Sequence, residues 1–139
     1  TTLLQVAMTS AAIANEGVQM KPNLIRSVKS HNLSSLYDFS AEQLRRSTSA
    51  EVAHQVRDWM VNSVDQGIAA GAGVDGVSVG GKTGTAETGT DTVNSWFTGF
   101  APANDPQVAI AVVYEDVDTT TGSQLSTSAA QQIFEAVLN

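Results

Sequence analysis

The sequence contains no cysteine, which excludes disulfide bonds and thiol chemistry. Basic side chains are scarce as well: seven lysines and arginines face 14 acidic residues, and the formal charge is -7. A nucleic-acid partner would need a basic face, so that class of function is excluded. No apolar run approaches about 18 residues and there is no N-terminal signal pattern, so we expect no membrane-spanning helix in these 139 residues.

With 42% apolar residues, the chain can bury a modest hydrophobic core. Its first residues already form a helix start, because Thr2 and Gln5 have the spacing of a capping box. Small and apolar residues follow at helical spacing, and Gly17 indicates the end of the helix. Since the chain begins at Thr1, inside this signal, we expect it to be a piece of a longer protein.

A second helix is predicted from Thr48, which forms a capping box with Glu51, to a stop at Gly67. His54 and Asp58 lie four residues apart on this helix and are predicted to form a hydrogen-bonded surface pair. Between the two helices, residues 24–29 predict a short strand, and residues 30–47 are a polar connection with no assigned structure. The glycine- and alanine-rich residues 68–76 predict a flexible linker.

The most informative stretch is residues 80–87, with the sequence G-G-K-T-G-T-A-E. The alternating β-branched residues 77–79 predict a strand leading into it. Lys82 supplies a fixed positive charge, Thr83 and Thr85 place hydroxyls on one face of a strand, and Gly84 exposes bare backbone between them. Such a strand edge suits a bound carboxylate. A glycine-rich hairpin with a solvated lysine fits the spacing equally well.

Two other motifs overlap this stretch. Residues 76–83 match the phosphate-loop pattern G-x-x-x-x-G-K-T, which must open a helix, yet the residues after Thr83 are poor helix formers. Residues 76–80 match the G-x-S-x-G nucleophile elbow, in which a histidine follows the serine. Both histidines of this chain precede Ser78, so this interpretation is weaker still.

The remainder of the chain predicts two more strands and a last helix. Residues 95–102 alternate, which places Trp96, Thr98 and Phe100 on one face. Residues 108–114 are continuously apolar, as expected for a strand covered on both faces. Together with the lysine strand they predict an antiparallel meander. Residues 123–138 have an apolar stripe and predict a helix that packs on the meander.

The K-T-G motif at residues 82–84 resembles that of the penicillin-binding protein transpeptidase family of the serine β-lactamase and D,D-peptidase superfamily. Other segments also resemble this family in the correct order: A-N-E-G at residues 14–17, K-P at residues 21–22, and the aromatic strand ending in A-P at residues 101–102. The resemblance covers nearly everything except residues 30–47. Overall likeness favours the monofunctional class B proteins.

The resemblance implies an α+β fold, the C-terminal portion of the penicillin-binding/β-lactamase-like transpeptidase fold, in which an antiparallel sheet packs against helices. Residues 1–139 are then the C-terminal fragment of one transpeptidase domain, residues 1–67 being mainly helical and part of a helical lobe. Residues 76–139 form the three-strand meander and the C-terminal helix. The upstream part of the domain, with the nucleophile, is missing.

The resemblance also implies a serine acyl-enzyme mechanism on D-Ala-D-Ala peptidoglycan stem peptides, with β-lactams acylating the same serine. Lys82 and Thr85 would be catalytic, and Lys82, Thr83, Gly84 and Thr85 would bind the substrate. Lys82 and the two threonine hydroxyls would hold the terminal carboxylate, and the Thr85 N–H would be an oxyanion-hole donor. Neither a cofactor nor a metal is implied.

The chain departs from the family in one large respect, because it has no S-x-x-K motif and no S-x-N motif at the family's position. Residues 30–32 spell S-x-N, but they lie after the first helix rather than before it, so the match is accidental. The expected partners are the rest of the same domain, possibly a separate chain, the stem peptide and β-lactams. The membrane would be reached only through a missing N-terminal anchor at the extracytoplasmic face of the bacterial plasma membrane.

Alternative functions on the same fold are a D,D-carboxypeptidase, a β-lactam sensor and a noncatalytic binding domain. A phosphate-loop nucleotide binder is the remote alternative.

Overall fold

A computed structural model describes residues 1–138. Three helices, seven strands and a short 3-10 helix follow one another in the order α1 (Leu3–Ala14), β1 (Val18–Met20), β2 (Ser27–Lys29), β3 (Ser35–Asp38), β4 (Gln43–Arg46), α2 (Ala50–Asp65), the 3-10 helix (Ala70–Ala72), β5 (Gly80–Glu87), β6 (Thr92–Ala101), β7 (Val108–Asp118) and α3 (Gly122–Leu138).

The main sheet contains β5, β6 and β7 in that spatial order, with both neighbouring pairs antiparallel. The strands β1 and β4 form a separate antiparallel pair, and so do β2 and β3. Helices and antiparallel sheets thus alternate along the chain and pack together. The predicted α+β class, with an antiparallel sheet packed against helices, is confirmed.

Helices cover both faces of the main sheet. On one face, the buried Ser10 of α1 hydrogen-bonds Thr98 of β6. On the other face, Phe97 of β6 and Phe134 of α3 are fully buried and pack edge to face, with ring centroids 6.4 Å apart. Both α1 and α3 contact β7, which agrees with its continuous apolar sequence, although residues 108–113 are half-buried rather than buried and Tyr114 is exposed.

The glycines of β5 allow the aromatic side chains of β6 to approach closely. A Cβ at Gly80 would lie 2.6 Å from Phe100 Cζ, and a Cβ at Gly81 would lie 2.4 Å from Phe97 Cζ. Neither distance is compatible with a side chain, so both positions require glycine. At Gly84, by contrast, a Cβ would meet only Trp96 Cβ, at 3.5 Å.

The first helix begins as its sequence indicated. The Thr2 hydroxyl accepts from the Gln5 N–H, and the Gln5 side chain accepts from the Thr2 N–H, which completes the predicted capping box. The predicted start of α2 at Thr48 is wrong by one residue. Ser49 is the N-cap, because its hydroxyl accepts from the Val52 N–H at 3.2 Å.

Three other local predictions are wrong. Residues 68–76 are not a flexible linker, because Ala69 and Ala72 are fully buried against the core that contains Phe134. Residues 77–79 do not form a strand leading into the lysine stretch, since β5 begins at Gly80. On α2, His54 lies 3.7 Å from Glu16 of the α1 end instead of pairing with Asp58, which pairs with Arg57.

Residues 18–46 contain more structure than the sequence indicated. The predicted strand at residues 24–29 is shortened to β2, and the polar connection contains β3 and β4. The pair β2–β3 is exposed throughout. The accidental S-x-N match lies in the turn between these two strands, where the Ser30 hydroxyl donates to the Asn32 side-chain oxygen.

The turn between β7 and α3 is built around one carboxylate. The hydroxyls of Thr120 and Thr121 donate to Asp118, and their backbone N–H groups donate at 3.0 Å each. These hydrogen bonds, first of all that from the Thr120 hydroxyl, hold the pKa of Asp118 well below its ordinary value of 3.8. The ionised form therefore stabilises the entry into α3.

We expect Asp118→Asn to destabilise the fold most strongly at neutral pH. The lowered pKa means that the contribution of the charge is present above about pH 3.8 and is lost as the pH falls towards the folded-state pKa. The difference in unfolding free energy between wild type and variant, measured in urea at several pH values, should therefore shrink below this pH. A difference independent of pH would contradict the assignment.

We also expect Gly81→Ala to destabilise the protein by about 1–3 kcal/mol, because the new methyl group would overlap the Phe97 ring. Gly84→Ala is the matched control on the same strand, where the space is open. Its unfolding free energy should stay within about 1 kcal/mol of wild type. Equal losses for the two variants in urea denaturation would show that the ring contact does not set the requirement for glycine.

Candidate functional site

Lys82 lies in the first half of β5, directly opposite Thr98 of β6. The chain continues as a strand through Thr83 to Glu87, so no helix opens behind the lysine. A phosphate loop requires such a helix to hold the phosphates. The nucleotide-binding alternative is therefore wrong.

The predicted site residues alternate between the two faces of β5. Lys82 shares a face with its partner Thr98, towards α1, and Gly84 lies opposite Trp96 on this same face. Thr83 and Thr85 lie on the other face, opposite Phe97 and Ser95. The predicted common face of the two threonines is thus present, while the lysine side chain starts from the opposite face.

The Lys82 ammonium group has no carboxylate within 4.0 Å among residues 1–138. Its Nζ instead donates to the carbonyl oxygen of Thr83 at 2.6 Å, so the side chain folds back over its own strand. The side chain remains exposed. An unpaired cation on an exposed strand can take an external anion without breaking an ion pair.

Lys82 borders an apolar cavity of about 340 Å³ between α1 and the β5–β6 pair. The cavity is lined by residues from three elements and the chain start: Thr1, Val6, Lys82, Thr83, Gly84, Trp96, Phe97 and Thr98. Along the sequence, Lys82 is the only lysine or arginine among residues 58–139, which carry ten acidic residues.

The two hydroxyls differ in accessibility. Thr85 is exposed, whereas Thr83 is only 8% exposed. Among residues 1–138 no side-chain oxygen is both sealed from solvent and without a partner, so the Thr83 hydroxyl still reaches the surface. Thr85 is the hydroxyl that a ligand meets first.

Within residues 1–138 the outer edge of β5 has no strand partner, although α2 packs against this strand and its continuously exposed part begins at Gly84. In an antiparallel pair, backbone N–H and C=O groups alternate between the partner strand and the free edge. Gly84 adds no side chain to this edge, and the space above it is free apart from Trp96. The edge can therefore accept an extended ligand along its backbone.

Sequence reasoning missed Val6 and Thr98 as residues beside Lys82. The alternation of residues 95–102 contained a signal for Thr98, since it predicted the face that Thr98 shares with Trp96. The sequence carried no signal for Val6, because it reaches the cavity from a helix that begins 77 residues before β5.

Comparison with known proteins identifies the class. The family model described as the penicillin binding protein transpeptidase domain matches residues 1–139. This chain belongs to that family.

The relatives are bacterial transpeptidases. The chain is 43% identical over 119 residues to the peptidoglycan D,D-transpeptidase PbpA of Mycolicibacterium smegmatis, an alignment covering 83% of the chain and 24% of that protein. It is 37% identical to PbpA of Mycobacterium tuberculosis, covering 99% of the chain and 29% of that protein. The chain thus spans about a quarter of the length of these relatives.

Solved structures show the same fold. The D,D-transpeptidase domain of a peptidoglycan glycosyltransferase from Eggerthella lenta superposes with a TM-score of 0.92 at 39% identity, covering 99% of this chain and 32% of that chain. The imipenem acyl-enzyme complex of penicillin-binding protein A from M. tuberculosis gives a TM-score of 0.86 at 35% identity, covering 100% of this chain and 31% of that chain.

Proposed function

We propose that this chain supplies the carboxylate-binding strand of a serine-type peptidoglycan D,D-transpeptidase. One observation carries the proposal: Lys82, without an acidic partner, lies on an open edge strand beside the accessible Thr85 and the bare backbone of Gly84. The names of the relatives supply the reaction. The substrate is a stem peptide ending in D-Ala-D-Ala, and β-lactams occupy the same place.

Lys82 binds the terminal carboxylate of the ligand. For this, its Nζ exchanges the Thr83 carbonyl for a carboxylate oxygen, which replaces a hydrogen bond to a neutral acceptor by a stronger, charge-assisted one. A unit charge pair at 4 Å contributes about 4 kcal/mol at an effective dielectric constant near 20. The Thr83 and Thr85 hydroxyls donate to the same carboxylate, with Thr85 the more accessible.

The Thr85 N–H is one of two donors to the oxyanion that forms when the serine attacks. This donor belongs to the backbone of a strand that is paired with β6 before the ligand arrives, so little reorganisation is needed. Gly84, the residue before Thr85, has no side chain that would cover the neighbouring backbone. In comparable sites one such donor contributes about 10²–10³ to the rate.

The nucleophile comes from outside these residues. A serine of an S-x-x-K motif in the upstream part of the domain attacks the penultimate D-Ala carbonyl carbon, and the C–N bond breaks as D-Ala leaves with a proton. The amine of a neighbouring stem peptide then attacks the ester, forms the new amide and releases the serine. The remainder of the same domain is therefore the obligatory partner of this chain.

We place the protein at the extracytoplasmic face of the bacterial plasma membrane, where peptidoglycan is built, with a membrane anchor outside this chain. Within residues 1–138, no helix combines the length and the apolar character that crossing a bilayer requires.

We expect Lys82→Ala to lower the second-order rate of acylation by a carboxylate-bearing β-lactam by about 10²–10³-fold, because the charge pair contributes up to about 4 kcal/mol. Stopped-flow acylation of the protein that contains this chain measures the rate. Lys21→Ala is the matched control, since Lys21 is exposed and pairs with Glu42 away from the cavity. Wild-type rates for Lys82→Ala would refute the carboxylate role.

We expect Thr85→Pro to slow acylation about 10²–10³-fold, because proline removes the backbone donor. Thr85→Ala keeps this N–H and loses only the hydroxyl, so its rate should fall about tenfold, as expected for one hydrogen bond to a charged group. Circular dichroism checks that both variants are folded. If the two substitutions had equal and mild effects, the Thr85 N–H would have no part in the mechanism.

A further inference from the structure

Two hydroxyl-bearing residues of β6 lie directly opposite the two residues of β5 with proposed catalytic roles. Thr98 is the cross-strand partner of Lys82, and Ser95 is the cross-strand partner of Thr85. Directly opposed residues in an antiparallel pair have Cβ atoms about 4.5–5.5 Å apart, so a displacement of one residue changes the position of the other.

Thr98 connects Lys82's face of the sheet to α1. Its hydroxyl donates to the carbonyl oxygen of Ile110 in β7 at 2.9 Å and shares a hydrogen bond of 2.6 Å with the Ser10 hydroxyl. Ser10 is buried in the interface between α1 and the sheet. This bond determines the distance between α1 and the sheet, and therefore the position of Val6 in the wall of the cavity that Lys82 borders.

Ser95 connects the opposite face of the same strand to α3. Its hydroxyl donates to the carbonyl oxygen of Gly122, the first residue of α3, and shares a hydrogen bond of 2.9 Å with the Ser126 hydroxyl. Both serines are fully buried. The β6–β7 register is irregular between Val93 and Ser95. The backbone hydrogen bonds to β7 therefore do not by themselves determine the position of this part of β6.

Thr98 and Ser95 each serve stability by donating to a backbone carbonyl, that of Ile110 and that of Gly122. Stability alone does not require their second hydrogen bonds, those to Ser10 and Ser126. The net contribution of a buried hydrogen bond is only about 0.5–1.5 kcal/mol, and replacing both partners by apolar groups of the same shape can be nearly neutral. What a directional bond adds is a defined position of the helix relative to the strand. The Ser10–Thr98 bond lies opposite Lys82, and the Ser95–Ser126 bond lies opposite Thr85. These are the two residues of β5 to which the proposed function assigns catalytic roles.

We propose that Thr98 and Ser95 are positioning residues for the acylation reaction, each acting through the β5 residue opposite to it. Thr98, with Ser10, sets the cavity wall beside Lys82 and so determines how tightly the ligand carboxylate binds. Ser95, with Ser126, sets the backbone of Thr85 and so determines how well the oxyanion is held. This inference rests on the proposed function.

The two positions therefore affect different kinetic constants. A looser carboxylate site weakens the noncovalent complex, whereas a displaced oxyanion donor slows the chemical step within that complex. A role in stability alone would move both constants together, in step with the melting temperature.

The test uses the protein that contains this chain, a carboxylate-bearing β-lactam, and stopped-flow acylation that separates the dissociation constant Kd from the acylation rate constant. Thr98→Val should raise Kd about tenfold, the equivalent of one lost hydrogen bond, with the rate constant nearly unchanged. Thr98→Ser, which keeps the hydroxyl, should restore Kd. Ser95→Ala should lower the rate constant about tenfold with Kd nearly unchanged.

Matched controls come from the same chain. Thr92→Val makes the same substitution at the start of β6, where the half-buried hydroxyl bonds Thr88, Thr90 and Asp116 rather than a helix residue. Ser40→Ala removes an exposed hydroxyl between β3 and β4. Both should leave the two kinetic constants at wild-type values. The double variant Ser95→Ala/Ser126→Ala removes both hydroxyls of this pair but leaves the Gly122 carbonyl without its donor. Its rate constant should be as low as that of Ser95→Ala, whatever its melting temperature.

Three results would overturn the inference: Thr98→Val indistinguishable from Thr92→Val, Thr98→Ser failing to restore Kd, or Ser95→Ala changing both constants in proportion to its melting temperature. The Lys82→Ala variant separates this failure from that of the proposed function. If Lys82→Ala loses acylation while Thr98→Val and Ser95→Ala do not, only the positioning role is wrong. If Lys82→Ala acylates normally, the proposed function fails and the inference with it.

Discussion

The close pairing of β5 with β6 is the constraint on which the rest of this structure depends. Gly80 and Gly81 leave room for the rings of Phe100 and Phe97, which fill the two faces of the sheet beneath the lysine strand. If the register between β5 and β6 shifted by one residue, a phenyl ring would overlap backbone atoms and the Lys82 side chain would lie on the other face of the sheet. The same strand register therefore determines both the core packing and the position of the Lys82 side chain.

The edge proposed to bind the ligand is exposed mainly in the second half of β5, from Gly84 onwards. Edge strands in soluble proteins are commonly protected by lysine, bulges or covering elements, because open backbone groups invite pairing with other chains. In β5 the lysine that protects the edge is also the one proposed to bind the ligand, Lys82. A peptide that lays its carboxylate end along this strand satisfies backbone groups that would otherwise face water.

Local patterns in the sequence predicted the elements whose causes are local. The capping box of α1, the alternation of β6 and the apolar stripe of α3 each depend on neighbours within a few residues, and these elements are present. The pair β1–β4 could not be predicted, because its partners lie more than 20 residues apart and neither strand has a clear period. The Ser10–Thr98 hydrogen bond joins residues 88 positions apart, so no sequence pattern could indicate it.

The net charge of -7 has a consequence for how an anionic ligand approaches. Residues 58–139 contain one lysine or arginine, Lys82, among ten acidic residues, so at a distance this part of the chain repels an anion. The attraction between the anion and the Lys82 ammonium group exceeds this repulsion only within a few ångströms of the ammonium group. Salt screens the long-range repulsion, over a Debye length of about 8–10 Å, more than it screens the close contact. For the field of this chain alone, added salt thus favours the encounter with an anion, the reverse of the usual behaviour of a cationic binding site.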